Sequence, residues 1–173
     1  LHRQLRKYEV RVPLDAALGE PSMAVALGRL LRAGAVEVRR TLEAVQSPDQ
    51  VVEAHQARLA VKHLRYLLES LGTGFRGGPR AVGRLSSLQD ALGVLHDRHL
   101  LLARVHREAD EVRAPAPGQP TRRAYTALQS AVHRSMLAAF GRATRLGRGR
   151  GTAAALKTVE RIAGALLTTT GTP

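Results

Sequence analysis

His55, Arg58, Lys62 and Arg65 recur every three or four residues along one stretch of the chain. On a helical wheel at about 100° per residue they fall within an arc of roughly 80°. Ala57, Ala60, Val61, Leu64, Leu67, Leu68 and Leu71 take the opposite side. The column holds no acid until Glu69. Like charges at these spacings repel by a few tenths of a kcal/mol per pair. A bound polyanion would turn that cost into a gain, and guanidinium forks suit phosphate oxygens. The plainer reading is a solvated basic face. Against it, Arg29, Arg32, Arg39 and Arg40 of the preceding segment lie off that segment's apolar stripe. They would supply a second row across a groove, and nearby carboxylates are too few to neutralise both rows.

The whole chain shares this bias. Its 173 residues hold 27 Lys and Arg against 14 Asp and Glu, a formal net charge of +13. Only Lys7, Lys62 and Lys157 of those cations are lysines. Such an excess points to polyanions or acidic surfaces as partners, although GC-rich codon usage also inflates arginine. There is no cysteine, which excludes disulfide frameworks, thiolate metal sites and cysteine nucleophiles. Three tyrosines and two phenylalanines are too few for the stacking platforms of single-strand readers. No apolar run approaches the roughly 20 residues that span a bilayer. Residues 1–8 are mostly basic and polar, unlike a signal peptide, so the expected location is cytoplasmic.

The elements that must position the column read as helices. A core drawn from Leu, Ala and Val, with few aromatics, suits a helical bundle. Residues 1–20 form an N-terminal extension, with Tyr8, Val10 and Val12 as the only strand-like alternation and Pro13 and Pro21 as breaks. The domain proper is expected over 21–170. A first helix spans 22–46, with Leu27, Leu30, Leu31, Gly34, Val38, Leu42 and Val45 as its apolar stripe. Ser47-Pro48-Asp49-Gln50 reads as a capping sequence for a second helix ending near Leu71, stopped by Gly72 and Gly74. A third helix starts at Pro79, reaches about Val112 and buries Leu85, Leu88, Leu92, Leu95 and Leu102. Three prolines break the chain over 113–120. Thr121 caps a fourth helix with Tyr125, Leu128, Val132, Met136 and Ala139 inward. An Arg/Gly-rich connector over 141–151 follows, then Thr152 caps a fifth helix to about Leu167, and the Thr/Gly/Pro tail reads as disordered. The expected fold is all-α, a bundle of four to five antiparallel helices.

Residues 55–69, His-Gln-Ala-Arg-Leu-Ala-Val-Lys-His-Leu-Arg-Tyr-Leu-Leu-Glu, resemble the signature helix of the CHAD family, the conserved-histidine α-helical domains. That motif is His-x-x-Arg-x-x-x-Lys/Arg-x-x-Arg, often continued by Tyr-x-x-Glu. Residues 88–97, Leu-Gln-Asp-Ala-Leu-Gly-Val-Leu-His-Asp, are similar to the family's second block, in the expected order and spacing. The resemblance covers roughly 21–146. It implies an all-helical domain that binds inorganic polyphosphate through a basic surface, often fused to a CYTH domain that processes triphosphates, and in some members associated with polyphosphate granules. Carried over by position, His55, Arg58, Lys62 and Arg65 form the binding helix. Arg32, Arg39 and Arg40 are added by their off-core placement, and His96 by its adjacency to the second block. Family members usually carry two signature helices related by pseudo-twofold symmetry. Here one copy is evident, since the region around His133 and Arg134 does not repeat the column, and His63 replaces a usually basic residue. A second subunit of a homodimer would supply the missing half.

Other chemistry is thinner. Asp90 and Asp97 would weaken a phosphate site, so they read as structural, with Asp97 pairing an arginine. His96, His99 and His106 share one helix, but His99 and His106 fall on its apolar side and no carboxylates complete a metal site. No phosphate loop, catalytic triad or paired-carboxylate motif stands out, so neither catalysis nor a cofactor is expected. Arg142, Arg145, Arg148 and Arg150 read as a flexible cationic tract. The leading function is thus a non-catalytic polyphosphate-binding localisation or scaffold module. A nucleic-acid-binding helical protein, and a regulatory domain of a triphosphate-processing enzyme, stand as alternatives.

Overall fold

Amphipathic stripes and glycine stops divide the chain into five helices. The structure, a computed structural model, describes residues 23–111 and 121–168. These comprise α1 (Met23–Ala44), α2 (Val51–Ser70), α3 (Gly78–Glu111), α4 (Arg122–Gly147) and α5 (Arg150–Thr168), and no strand occurs among the described residues. The N-terminal extension with its strand-like alternation, the proline break and the terminal tail lie outside them. The fold is an all-α helical bundle.

The core is drawn mostly from the expected residues, with side chains of α5 added. Leu31 and Val38 of α1, Val61 and Leu64 of α2, and Leu85, Leu88, Leu92 and Leu95 of α3 are fully buried. Met136 of α4 and Val159 and Ile162 of α5 complete the cluster. Leu30 and Leu128, expected inside, are instead 51% and 45% exposed. Each stands at the edge of its stripe, where none of the described helices covers it. His106, placed on the apolar side of α3 by periodicity, is also exposed.

α3 is 34 residues long, about 50 Å at 1.5 Å per residue, and is the axis of the fold. α2 and α4 flank it, while α5 docks on α1 and α3. α4 and α5 hardly touch although two residues separate them.

Helix ends follow the sequence in part. Gly72, with φ +67°, ends α2 in the left-handed region, and its N–H donates to Glu69 O at 3.0 Å. The Thr121 hydroxyl accepts from Ala124 N at the start of α4, as expected of a cap. At α2 the expected cap shifts by three residues. The helix starts at Val51, and Gln50 Oε1 accepts from Gln46 N and Ser47 N at 2.7 and 2.8 Å. Pro48 therefore belongs to the turn rather than to the first helical position.

The Arg/Gly connector is the larger correction. α4 runs through Gly141 to Gly147, so Arg142 and Arg145 are helical rather than part of a flexible tract. α5 then begins at Arg150, and Thr152 is a buried helical residue whose hydroxyl donates to Leu146 O at 2.7 Å. Two glycines make this reversal possible. A Cβ on Gly147 would meet Leu42 Cδ2 at 3.3 Å, and one on Gly149 would meet Arg145 O at 2.8 Å. Because a backbone carbonyl cannot swing away, Gly149→Ala is expected to cost about 1–3 kcal/mol, read from the denaturant midpoint at constant slope. A wild-type midpoint would refute this account of the junction.

Candidate functional site: the groove between α2 and α3

The two sequence blocks that look separate face each other. His55 of α2 lies against His96 of α3, ring centroids 4.9 Å apart and planes inclined at 38°. Arg58 Nε is 3.7 Å from where a Cβ on Gly93 would stand. Arg65 Nε donates to Gln89 Oε1 at 3.1 Å. As the α2 number rises the α3 number falls, so the helices are antiparallel in a single register. The contact line from His55 to Arg65 covers ten residues, about 15 Å of helix.

Local packing holds this row in place. Ala54, Ala57, Val61, Leu64 and Leu68 bury the core side of α2, which turns the cations onto its α3 flank. Gly93 leaves room beside the Arg58 guanidinium. Arg65 is fixed twice, by Gln89 and by Glu69 at 2.6 Å. Tyr66 lies beneath two cations, with Arg65 Cζ 4.5 Å and Lys62 Nζ 5.6 Å from its ring centroid. Gln89, Gly93 and Tyr66 are additions to the candidate residues. The signal for Gln89 and Gly93 was their place in the second block, and the signal for Tyr66 was its position one residue after Arg65.

Several polar atoms in the groove lack a protein partner. His55 Nδ1, Arg58 Nε and His96 Nδ1 are buried and make no hydrogen bond among the described residues. Buried polar atoms are seldom left this way, and three of the five such atoms among the described residues, the others being Arg98 Nε and His99 Nδ1, cluster here. Asp97, expected to pair with an arginine, is exposed and makes no described ion pair. Asp90 behaves likewise.

His96 is held below the ordinary histidine pKa of 6.5, first by burial and then by repulsion from His55 and Arg58. Asp97 opposes this, and His99 adds slightly to it. The imidazole is therefore neutral in the free domain at pH 7. A polyanion in the groove would favour the imidazolium. Affinity for a polyanion is thus expected to rise as the pH falls below about 6.5, and His96→Gln should flatten that dependence. The free domain should lose stability over the same interval, because the unfolded chain takes up the proton first. Titrations at pH 7.5 and 5.5 on both proteins check this, and parallel profiles would contradict it.

The other candidates lie elsewhere. α1 meets α2 through Gly34, whose Cβ position is 3.0 Å from Leu64 Cδ1, on the flank of α2 away from the cations. Arg39 turns to α5 and pairs with Glu160 at 2.7 Å. Arg40 pairs with Glu37 at 2.7 Å on its own helix, which lowers the Glu37 pKa and raises that of Arg40. Arg32 lines a recess with Arg29, Val36 and Leu167. The structure therefore brings together His55, Arg58, Lys62, Arg65 and His96. Arg32, Arg39 and Arg40 do not form a second row across this groove. His99 is also separate. It is 6% exposed, and its Nε2 lies 2.6 Å from Pro48 O, tying α3 to the α1–α2 turn.

No helix among the described residues is long and apolar enough to cross a membrane. No curated protein and no solved structure matches the chain. The family model of the CHAD domain matches residues 2–106. That span takes in α1, α2 and both faces of the groove, and it stops within α3. With its signature helix and its second block packed against each other, the chain belongs to the CHAD domain family.

Proposed function

We propose that the domain binds inorganic polyphosphate in the α2–α3 groove, without catalysing a reaction on it. The observation that carries this is the row of His55, Arg58, Lys62 and Arg65 facing α3, with buried nitrogens that no atom of the described residues satisfies. A linear phosphate chain presents an acceptor at every unit, so it can lie along a 15 Å groove without a fixed register. Arg58 and Lys62 contact phosphate, Arg65 is pre-positioned by Gln89, Glu69 and Tyr66, and His96 donates when protonated. Such a module localises or scaffolds its chain, polyphosphate granules being one destination. A second subunit would add the signature helix that family members usually carry. Light scattering that finds a tight-binding monomer would remove that part of the reading.

The test is competition between long-chain polyphosphate and duplex DNA at physiological salt. Polyphosphate should displace DNA. If DNA wins, the nucleic-acid alternative replaces this one. Binding should also release counterions. With three permanently charged contacts, Arg58, Lys62 and Arg65, and the single-strand nucleic-acid slope of about −0.7 per contact, affinity should fall roughly 20-fold from about 50 to about 200 mM salt. A flat salt dependence would contradict a groove that works by charge.

A further inference from the structure

A second arginine cluster lies on the far side of α3. Arg76 and Arg80, with Arg84 one turn on and Arg161 of α5, surround an open recess of about 470 Å³. Ala81, Ala154, Ala155 and Thr158 make its floor, and no carboxylate lines it among the described residues. None of the four arginines is in a described ion pair. Two are already held in place. Arg84 Nη1 donates to Gly151 O at 3.0 Å, and Arg161 Nη2 donates to Arg76 O. Each keeps further N–H groups for a ligand. Gly77, with φ +83°, turns the chain so that Arg76 and Arg80 arrive on the same rim, and its Cβ position is only 3.6 Å from Arg161 Nη2.

The recess is not an extension of the groove. On the α3 wheel Arg80 and Arg84 are about 180° and 140° from Gln89, so the two surfaces turn in different directions. Two of the guanidiniums are fixed by backbone carbonyls, one in the turn before α3 and one in α5, so the cluster is held by the fold rather than scattered over the surface. The occupant's chemistry follows from the lining. Among the described residues its only apolar side chains are alanines, which offer an amphipathic peptide no pocket for an anchor. Four convergent guanidiniums in a compact space instead match a small ligand with several anionic oxygens on adjacent centres.

We propose that this recess is a separate binding site for a compact oligophosphate, such as a triphosphate group. The site shares no residue with the row of His55, Arg58, Lys62, Arg65, Gln89, Gly93 and His96, so it does not depend on the groove's function.

Calorimetry with inorganic triphosphate tests it on the Arg58→Glu/Lys62→Glu protein, in which the groove is disabled. One site per chain should remain, and Arg80→Glu added to that background should weaken it at least tenfold. Arg80 makes no described hydrogen bond or ion pair, so the exchange leaves the fold intact. In labelled protein, the Gly77 and Gly151 amide resonances should move on titration while that of Gly93 stays still. Triphosphate binding that is absent in the first variant, or indifferent to Arg80→Glu, overturns the proposal. So does equal displacement by an oligoglutamate peptide, which would assign the recess to acidic protein. Long-chain polyphosphate affinity that falls with Arg80→Glu but not with Arg58→Glu/Lys62→Glu would instead refute the groove reading and leave these outcomes unaffected.

Discussion

Arg58→Glu combined with Lys62→Glu is expected to lower polyphosphate affinity about 100-fold or more while the domain stays helical. Each charge-assisted contact contributes about 1.5–3 kcal/mol, and each reversal also sets a carboxylate against phosphate. Two such losses exceed the roughly 2.7 kcal/mol that a hundredfold change requires. The fold tolerates the exchange because both side chains lie on the α3 flank of α2, away from Val61, Leu64 and Leu68. Relief of repulsion within the column should even offset part of any lost packing. The measurements are binding by calorimetry and helicity by circular dichroism. Full affinity in the folded variant would show that the groove is not the contact surface.

The converse substitution separates fold from function. Leu64→Ala is expected to cost about 2–5 kcal/mol of stability and to leave polyphosphate binding unchanged where the domain remains folded. Leu64 is fully buried, and its Cδ1 occupies the space that a side chain on Gly34 would take. Truncation opens a cavity between α1 and α2 that two rigid helices cannot close. Against a typical total stability of about 5–15 kcal/mol this is a large share. Yet Leu64 packs on Gly34 of α1, on the flank of α2 away from the cations, so the row from His55 to Arg65 is expected to keep its register with Gln89, Gly93 and His96. Denaturant unfolding gives the first quantity, and titration at low temperature the second. Loss of binding in the folded Leu64→Ala protein would mean that the groove depends on α1.

What the sequence made legible was what local periodicity encodes. The α2 column, its Leu/Ala back and the leucine ladder of α3 needed only the 3.6-residue period. The resemblance added the second block, and the structure placed it against the first. What escaped was decided by contacts between distant segments. Ser47-Pro48 looked like a cap, but Gln50 Oε1 takes both turn amides and His99 reaches Pro48 O from 51 residues away. The glycines of 141–149 suggested a loose connector. They permit close approach instead, Gly147 to Leu42 and Gly149 to the Arg145 carbonyl, while Ala139 and Ala143 hold the helix on the core. Arg39, recommended only by its off-core placement, looked unpaired because the position of Glu160 relative to α1 is a tertiary fact.

The sparse contact between α4 and α5 implies a hierarchy of opening. α1, α2, α3 and α5 enclose most of the buried side chains, whereas α4 adds Val132, Met136, Ala139 and Ala143 and leans almost wholly on α3. Its first two turns, from Arg122 to Gln129, bury none of their residues fully. Amide protons of α4 should therefore exchange through a partial unfolding event that leaves the other four helices closed. In that partly opened form, the α3 surface vacated by α4 would be exposed leucine and alanine, while the α2–α3 groove would remain assembled.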